Sequence, residues 1–533
     1  MEHVSRRRFL KFMGAQAAAV AALNAKPVKA APAPEAPPVS VVTPSRKDDL
    51  VLADGLSYDV VISWETRINV RKKEFGYDND YLAVIPDETR PTEEAILWVN
   101  HESANPFFVS GHRVGRTKNR AQVMKEMKAV GGSILKIRKE DGKWKFVPNH
   151  PLNRRIDATT PCRLVADKPV AQYTTAIGTL ANCAGGVTPW RTILTCEENY
   201  FKFYGDSKYK DGSRFIDNSD NVYGWEQFYP RPPEHYGWVV EVDPTTAKCK
   251  KLTALGRFAH ECATTNLAKD GRCVVYSGDD ADNECLYKFI ASEPGSLEQG
   301  ALYVADLKAG KWLPLDWEGN PKLKSRFADK TEMLIRTREA AHLLGGTPLD
   351  RPEDVEINPK NNNVFVALTN NKSRGDYNGS ILKIVEKNND PLSLEFSSDT
   401  FLAGGKANGF SCPDNMVFDP AGNLWITSDI SESSIGTKPY ESFGNNGLFY
   451  VPLSGAHAGK VFQVASAPVD AELTGPCFTP DGKTLLLSVQ HHGAQSEKGN
   501  KLTSNWPGGG TSTPRPSVVA ITGPLMDKLT SLS

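Results

Sequence analysis

Short hydrophobic runs closed by Gly, Asp, Asn or Pro recur along most of the chain: AILWVN (95–100), SILKI (133–137), RTILTC (191–196), GWVVEVD (237–243), CVVYSG (273–278), NVFVALTN (363–370), NLWITSD (423–429) and TLLLSVQ (484–490). Runs of this length with turn residues at both ends predict β-strands. Helical periodicity is rare. Lys118 to Val130 places Ala121, Met124 and Met127 on one face before Gly131 and Gly132, and Thr331 to Leu344 does the same with Leu334, Thr337, Ala341 and Leu344 before Gly345 and Gly346. Several strands share a polar lead-in: TNLAKDGRCVVYSGDD (265–280), INPKNNNVFVALTN (357–370), FDPAGNLWITSD (418–429) and FTPDGKTLLLSV (478–489), the last two turns lying 62 positions apart. Strands recurring over about 480 residues without a break suit an all-β propeller, whose blades add radially rather than enlarging one core. A β-sandwich, or a pair of them, is the alternative that the pattern leaves open.

The N-terminus departs from this pattern. SRRRFLKF (5–12) precedes a mild Ala-rich apolar run from Met13 to Leu23, and Val28-Lys29-Ala30 offers a small-residue cleavage site. The arrangement is that of a twin-arginine export signal over residues 1–30. The run is too short for a span, which needs about 20 apolar residues, so stable membrane insertion is not expected. APAPEAPPVSVVTP (31–44) reads as an extended Pro-rich linker, taken to end at residue 49, with the folded part from Leu50 to Ser533. The full chain has 63 basic and 63 acidic residues; losing residues 1–30 removes six basic residues and one acid, leaving a net charge of −5. That balance argues against nucleic-acid binding, and an anionic substrate needs a local arginine or bound cations.

Nine cysteines, an odd number, leave at least one without a disulfide partner even in an oxidising compartment, and no CxxC pair suggests a zinc ribbon. Candidate carboxylates sit where strands end: VNHESANP (Glu102), TCEEN (Cys196, Glu197, Glu198), FAHECA (Glu261), GDDADNE (Asp279, Asp280), RPEDVEI (Arg351, Glu353, Asp354) and CPDNMVFD (Asp414, Asn415). Equivalent blade ends of a propeller converge on its axis. Acids meeting there repel unless cations intervene, and carboxylate with amide oxygens suits calcium while a thiolate among carboxylates suits iron. Each acid taken singly also fits a turn cap. Cys196, beside Glu197 and Glu198, is the cysteine this logic selects.

Read together, VNHE (99–102), TCEEN (195–199), HYGWVVEVDP (235–244), GRFAHE (256–261), VVYSGDD (274–280), RPED (351–354), PDNMVFDPAGNLWI (413–426) and GPCFTPDGKTLLLSVQH (475–491) resemble the PhoX-type alkaline phosphatases in the family's own order. The resemblance implies an irregular six-bladed propeller with a few inserted helices, exported through the twin-arginine machinery to the periplasm or beyond. It also implies a monomer that hydrolyses small phosphate monoesters at ferric iron and calcium around a bridging oxygen that acts as nucleophile. Carried over by motif, Cys196 is the iron thiolate, Glu261, Glu353 and Asp414 are carboxylate ligands, and Arg351 holds a phosphate oxygen. Glu197 and Asn415 are further metal or substrate contacts, with Glu102, Asp279 and Gln490 in the same motifs but without a defined role.

Three positions depart from the family's pattern: Cys262 after HE, the absence of an aromatic after Asn100-His101-Glu102, and His492. PDNMVFDPAGNLWITSD also resembles a phrase of calcium-dependent propeller lactonases, which need no thiolate, and a non-catalytic calcium-binding propeller is a further alternative. No G-x-S-x-G elbow, P-loop or dinucleotide fingerprint supports another route.

Overall fold

A computed structural model describes residues 38–210, 213–496 and 501–531. The export signal and the first part of the linker lie outside these residues. From Val39 onward the described residues form one unit with six antiparallel-rich sheets, each a propeller blade, and a separate two-stranded hairpin, Asp206–Lys210 with Ser213–Asp217. The inner strands, in chain order, are Asn79–Pro86, Asn182–Val187, Thr264–Leu267, Pro352–Ile357, Pro413–Phe418 and Glu472–Phe478, and each contacts its neighbours so that they close a ring around the axis.

The N-terminal segment locks the ring. Ser57–Ser63 forms the outermost strand of blade 6, pairing with Ser517–Thr522, and Val51–Leu52 is added to the edge of blade 5 against Phe462–Ser466. Residues 38–49, read from the sequence as linker, are folded onto blade 5. Val39 and Val42 are buried there, and Val42 N–H donates to Gln463 O.

Each hydrophobic run of the sequence is a strand, and the reason it reads as unbroken is visible in the packing. Successive side chains of a strand point to opposite faces, and in a blade both faces are covered. Ile193 joins the core between blades 1 and 2 while Leu194 joins that between blades 2 and 3. Trp425 packs towards blade 6, and Leu424 and Ile426 towards blade 4. One apolar cluster fills each of the six blade interfaces, so no single core has to grow with chain length.

The helices are insertions. Arg120–Ala129 is capped reciprocally by Asn119 and Gln122, and its buried face carries Val123 and Met127, with Ala121 exposed. The single helix expected over Thr331 to Leu344 is two, Lys330–Ile335 and Thr337–Leu344, broken at Arg336, whose φ of −109° and ψ of 39° leave the helical region. Insertions of blades 1 and 2 pack together through Tyr77, Tyr200, Phe203, Tyr223 and Trp225 over one end of the axis. Buried Glu126 ties them, accepting from Ser110 Oγ (2.7 Å), Lys118 Nζ (2.7 Å) and Trp225 Nε1 (2.9 Å).

Candidate active site

The same backbone device recurs where inner strands begin. A pair between the first and second strands is formed at Asn79 with His101, Asn182 with Glu197, Pro352 with Leu368, and Pro413 with Ser428. Immediately afterwards the register slips, so that two residues of the inner strand oppose one of its partner. Such a bulge re-aims a side chain, and the first bulged residue in these blades is Asp80, Cys183, Glu353 or Asp414. The residue before each pair is left-handed although none is glycine: Asp78 (φ 52°), Ala181 (52°), Arg351 (53°) and Cys412 (51°). Each such conformation costs on the order of 1–3 kcal/mol, which the surrounding sheet must over-determine. In blade 3 an isolated bridge from His260 to Asp279 occupies the same place, followed by Glu261 and Asp280.

These ends line an axial cavity of about 630 Å³. Blade 1 supplies Asp80 and Glu102, blade 2 Cys183 and Glu198, blade 3 Glu261 and Asp280, blade 4 Arg351 and Glu353, blade 5 Asp414 and Asp429, and blade 6 Glu472 and His491. In blades 1, 2 and 5 the first bulged residue of the inner strand and the residue just past the second strand both face the axis. In blade 4 the bulged Glu353 is joined by Arg351, which precedes the inner strand, and in blade 6 Glu472 lies ahead of the bulge and His491 just past the second strand.

Counter-charge is scarce. Eleven carboxylates line the cavity against Arg351, Lys202 and His491, whose imidazole pKa is lowered by burial but pushed above its ordinary value by Asp78 and neighbouring acids. Arg351 is itself engaged: Nε and Nη2 donate to Asp280 (both 2.7 Å), and Nη2 lies 2.6 Å from Glu353. Burial, then the neighbouring acids Glu198 and Glu353, pushes Glu261 well above the usual carboxylate range; burial and Glu472 do the same to Asp414. Asp80 is pushed up to about 7 by burial and Glu102, and Asp78 to about 6 by burial. Burial works against ionisation of Asp280 too, but Arg351 outweighs it and holds that carboxyl below its ordinary value. Asp78 Oδ1 and Asp414 Oδ2 are buried without a hydrogen-bond partner among the described residues.

The donor set therefore fits cations. Cys183 Sγ lies 2.9 Å from Glu261 Oε1, and ligand atoms of Cys183, Glu198 and Glu261, like those of Asp80, Glu102 and Cys183, fall within 4.8 Å of one another. Oxygen-rich ligation suits calcium, and a thiolate at its edge suits a softer ion.

Among the sequence-derived residues, Glu102, Glu198, Glu261, Asp280, Arg351, Glu353 and Asp414 meet in this cavity. Cys196 does not. It is packed with Leu194, Val239 and Leu252 in the core between blades 2 and 3, and Cys183, on the adjacent strand, is the thiol that lines the cavity. Glu197 is also turned away: its Oε1 accepts from Lys251 Nζ (2.6 Å) and its Oε2 from Gly237 and Trp238 N–H, both charges being fully buried. Asp279 is paired with Arg338 (2.5 Å) and accepts from Ala259 N–H.

Asn415 is the second bulged residue and serves the backbone, its Oδ1 accepting from Gly475 N–H (2.7 Å) and Nδ2 donating to Asp414 Oδ1 (3.2 Å). Gln490 donates to Glu102 Oε2 (2.8 Å), orienting that carboxylate although Gln490 does not itself line the cavity. Cys262 points into the core between blades 3 and 4 and His492 packs on Trp506, so neither departure from the family's pattern reaches the cavity. The sequence reading missed Asp80, Cys183, Asp429, Glu472 and His491. The signal that could have found Asp429 and His491 was their place one residue past a second strand, equivalent to Glu102 and Glu198.

A profile of the alkaline phosphatase PhoX family matches residues 38–493. The chain is similar to the solved structure of Pseudomonas fluorescens PhoX in complex with vanadate, a transition state analogue, at 29% identity over 92% of this chain and 98% of that one, with a TM-score of 0.81. A gluconolactonase from Xanthomonas campestris aligns at 12% identity over 91% of this chain and 100% of its own, with a TM-score of 0.34. No curated protein sequence matches. With more than four-fifths of its length inside the family profile and a six-bladed ring that places acids, a thiol and an arginine at one axial cavity, this chain belongs to the alkaline phosphatase PhoX family, a family of metal-dependent phosphatases.

Proposed function

We propose that the protein is an exported, monomeric phosphomonoesterase that works with calcium and ferric iron in the axial cavity. The observation that carries this reading is the ring of buried carboxylates around the Cys183 thiol, with far fewer cationic side chains than acids. In this reading Cys183 takes the place assigned from sequence to Cys196 as the sulfur ligand. Glu102, Glu198, Glu261, Glu353 and Asp414 supply carboxylates together with Asp80 and Glu472. When bound, the cations supply Lewis acidity and activation of the attacking water.

The chain's own residues do the rest. Asp280 and Glu353 grip two nitrogens of the Arg351 guanidinium and leave Nη1 without a partner among the described residues, free to donate to an equatorial phosphoryl oxygen. The left-handed backbone of Arg351 and the proline after it fix the direction of that fork. Tyr77, Phe203 and Tyr223 of the aromatic cluster from blades 1 and 2 line the same cavity and offer apolar surface to the leaving group. Among the described residues no helix is long and apolar enough to cross a membrane, and the N-terminal arginines support export in the folded state.

Elemental analysis of protein purified from its export compartment, paired with turnover of p-nitrophenyl phosphate before and after chelation, tests the proposal. Calcium and iron in the protein with chelator-sensitive turnover is the expected result. No turnover after reconstitution with both ions would refute it in favour of a non-catalytic cation-binding propeller.

A further inference from the structure

Lys202 lies on the four-residue helix Phe201–Tyr204 of the blade 2 insertion and lines the cavity. Its backbone is pinned: the carbonyl accepts from Val222 N–H (2.9 Å) and Tyr223 N–H (3.1 Å), and its N–H donates to Asn199 O (3.1 Å). The next residue, Phe203, stacks on Tyr223 with ring centroids 4.2 Å apart and planes 4° apart. The ammonium itself makes no hydrogen bond or ion pair among the described residues, unlike Arg351 at the cavity floor. Asp429 and Glu432 of blade 5 also line the cavity. Val222 and Tyr223, whose N–H groups bond to the Lys202 carbonyl, add apolar lining next to it.

Resting on the phosphatase reading above, we propose that Lys202 is a specificity residue. It pairs with a second anionic group on the leaving portion of the substrate, so the favoured substrates are small phosphomonoesters that also carry a carboxylate or a further phosphate. A phosphoryl group at Arg351 leaves the carbon skeleton running along Val222 and Tyr223, and the pinned helix holds the ammonium at the far end of that path. The carboxylates of the cavity, Glu198 included, are served by bound cations in this reading; the Lys202 ammonium, which acts electrostatically on Glu198 but makes no ion pair with it, is then left to the substrate.

The test compares 3-phosphoglycerate with glycerol 3-phosphate, which differ by a carboxylate in place of a hydroxymethyl group, on the cation-loaded full chain. Lys202→Gln is expected to lower the ratio of kcat/KM for 3-phosphoglycerate to that for glycerol 3-phosphate by about tenfold, the size of one charge-assisted hydrogen bond, chiefly through KM. Lys202→Arg is expected to keep the ratio within about twofold of the wild type, which separates charge recognition from damage to the helix. A ratio left unchanged by Lys202→Gln, or an equal fall for both substrates, overturns the assignment while wild-type turnover leaves the phosphatase reading standing. Absence of wild-type turnover of both esters overturns the phosphatase reading and this proposal with it.

Discussion

Two regions of this molecule bury carboxylates, and they do it in opposite ways. In the insertions and blade cores each buried acid has its own protein partners: Glu126 takes three donors, Glu197 takes Lys251 and two backbone N–H groups, and Asp279 takes Arg338. Around the axis the acids outnumber the cations several-fold, and most are pushed towards their neutral forms by burial and by one another. The adjacent pairs make the contrast sharpest. Glu197 and Glu198 are one residue apart, yet the first pairs with Lys251 in the framework and the second faces the cavity; Asp279 and Asp280 divide by position in the same way, although Asp280 keeps Arg351 as its own cation. A buried acid with its own cation holds the fold; a cluster of acids short of cations is a place for something else.

The largest effect that would break this contrast is loss of cations. Chelation is expected to reduce phosphatase turnover by about 10²-fold or more, because without them the cavity repels a phosphate, and turnover on p-nitrophenyl phosphate with restoration by calcium and iron measures it. Within the ring, Cys183→Ala is expected to lose bound metal and activity, while Cys196→Ala keeps both and loses about 1–2 kcal/mol of stability from a small core void. Elemental analysis and denaturant unfolding of the two variants separate these outcomes. Bound metal lost from Cys196→Ala but retained in Cys183→Ala would reverse the assignment.

Charge removal tests the pairs. Glu197→Gln strands the buried Lys251 ammonium and is expected to cost about 3 kcal/mol in unfolding free energy. Glu198→Gln is expected to leave stability close to the wild type and to weaken cation binding, read by calorimetric titration with calcium.

The smallest effect is one of pH. Asp78 and Asp80, raised to about 6 and about 7, are held neutral in the cation-free fold and ionise freely when unfolded. A raised acid contributes stability that is present at low pH and lost as pH climbs through its folded value. The Tm of cation-free protein is therefore expected to fall from about pH 4 to pH 7 by a few degrees. Calcium-loaded protein should be flat over the same window, as differential scanning calorimetry would show.

Particular residues show why part of the site was legible and part was not. Glu261, Glu353 and Asp414 sit in phrases whose turn residues and following strands mark the start of an inner strand, so their place at a blade end could be read directly. Asp429 and His491 carry no phrase of their own; what marks them is only that a second strand has just ended. The choice between neighbouring acids such as Glu353 and Asp354 depends on a bulge and a left-handed residue two positions before it, and neither is written in hydrophobic periodicity.

The chain's pattern of short apolar runs and polar turns determined strands, the absence of a large single core and the acid-rich strand ends. Those are local properties, set by side-chain polarity and turn chemistry within a few residues. Only the tertiary structure decided that Cys183 rather than Cys196 meets the acids, that Glu198 and Asp280 face the axis while Glu197 and Asp279 pair away from it, and that Lys202 joins the cavity lining without an ion pair. A one-residue change of register reverses the direction of a side chain in a strand, and that register is fixed by contacts between blades far apart in sequence.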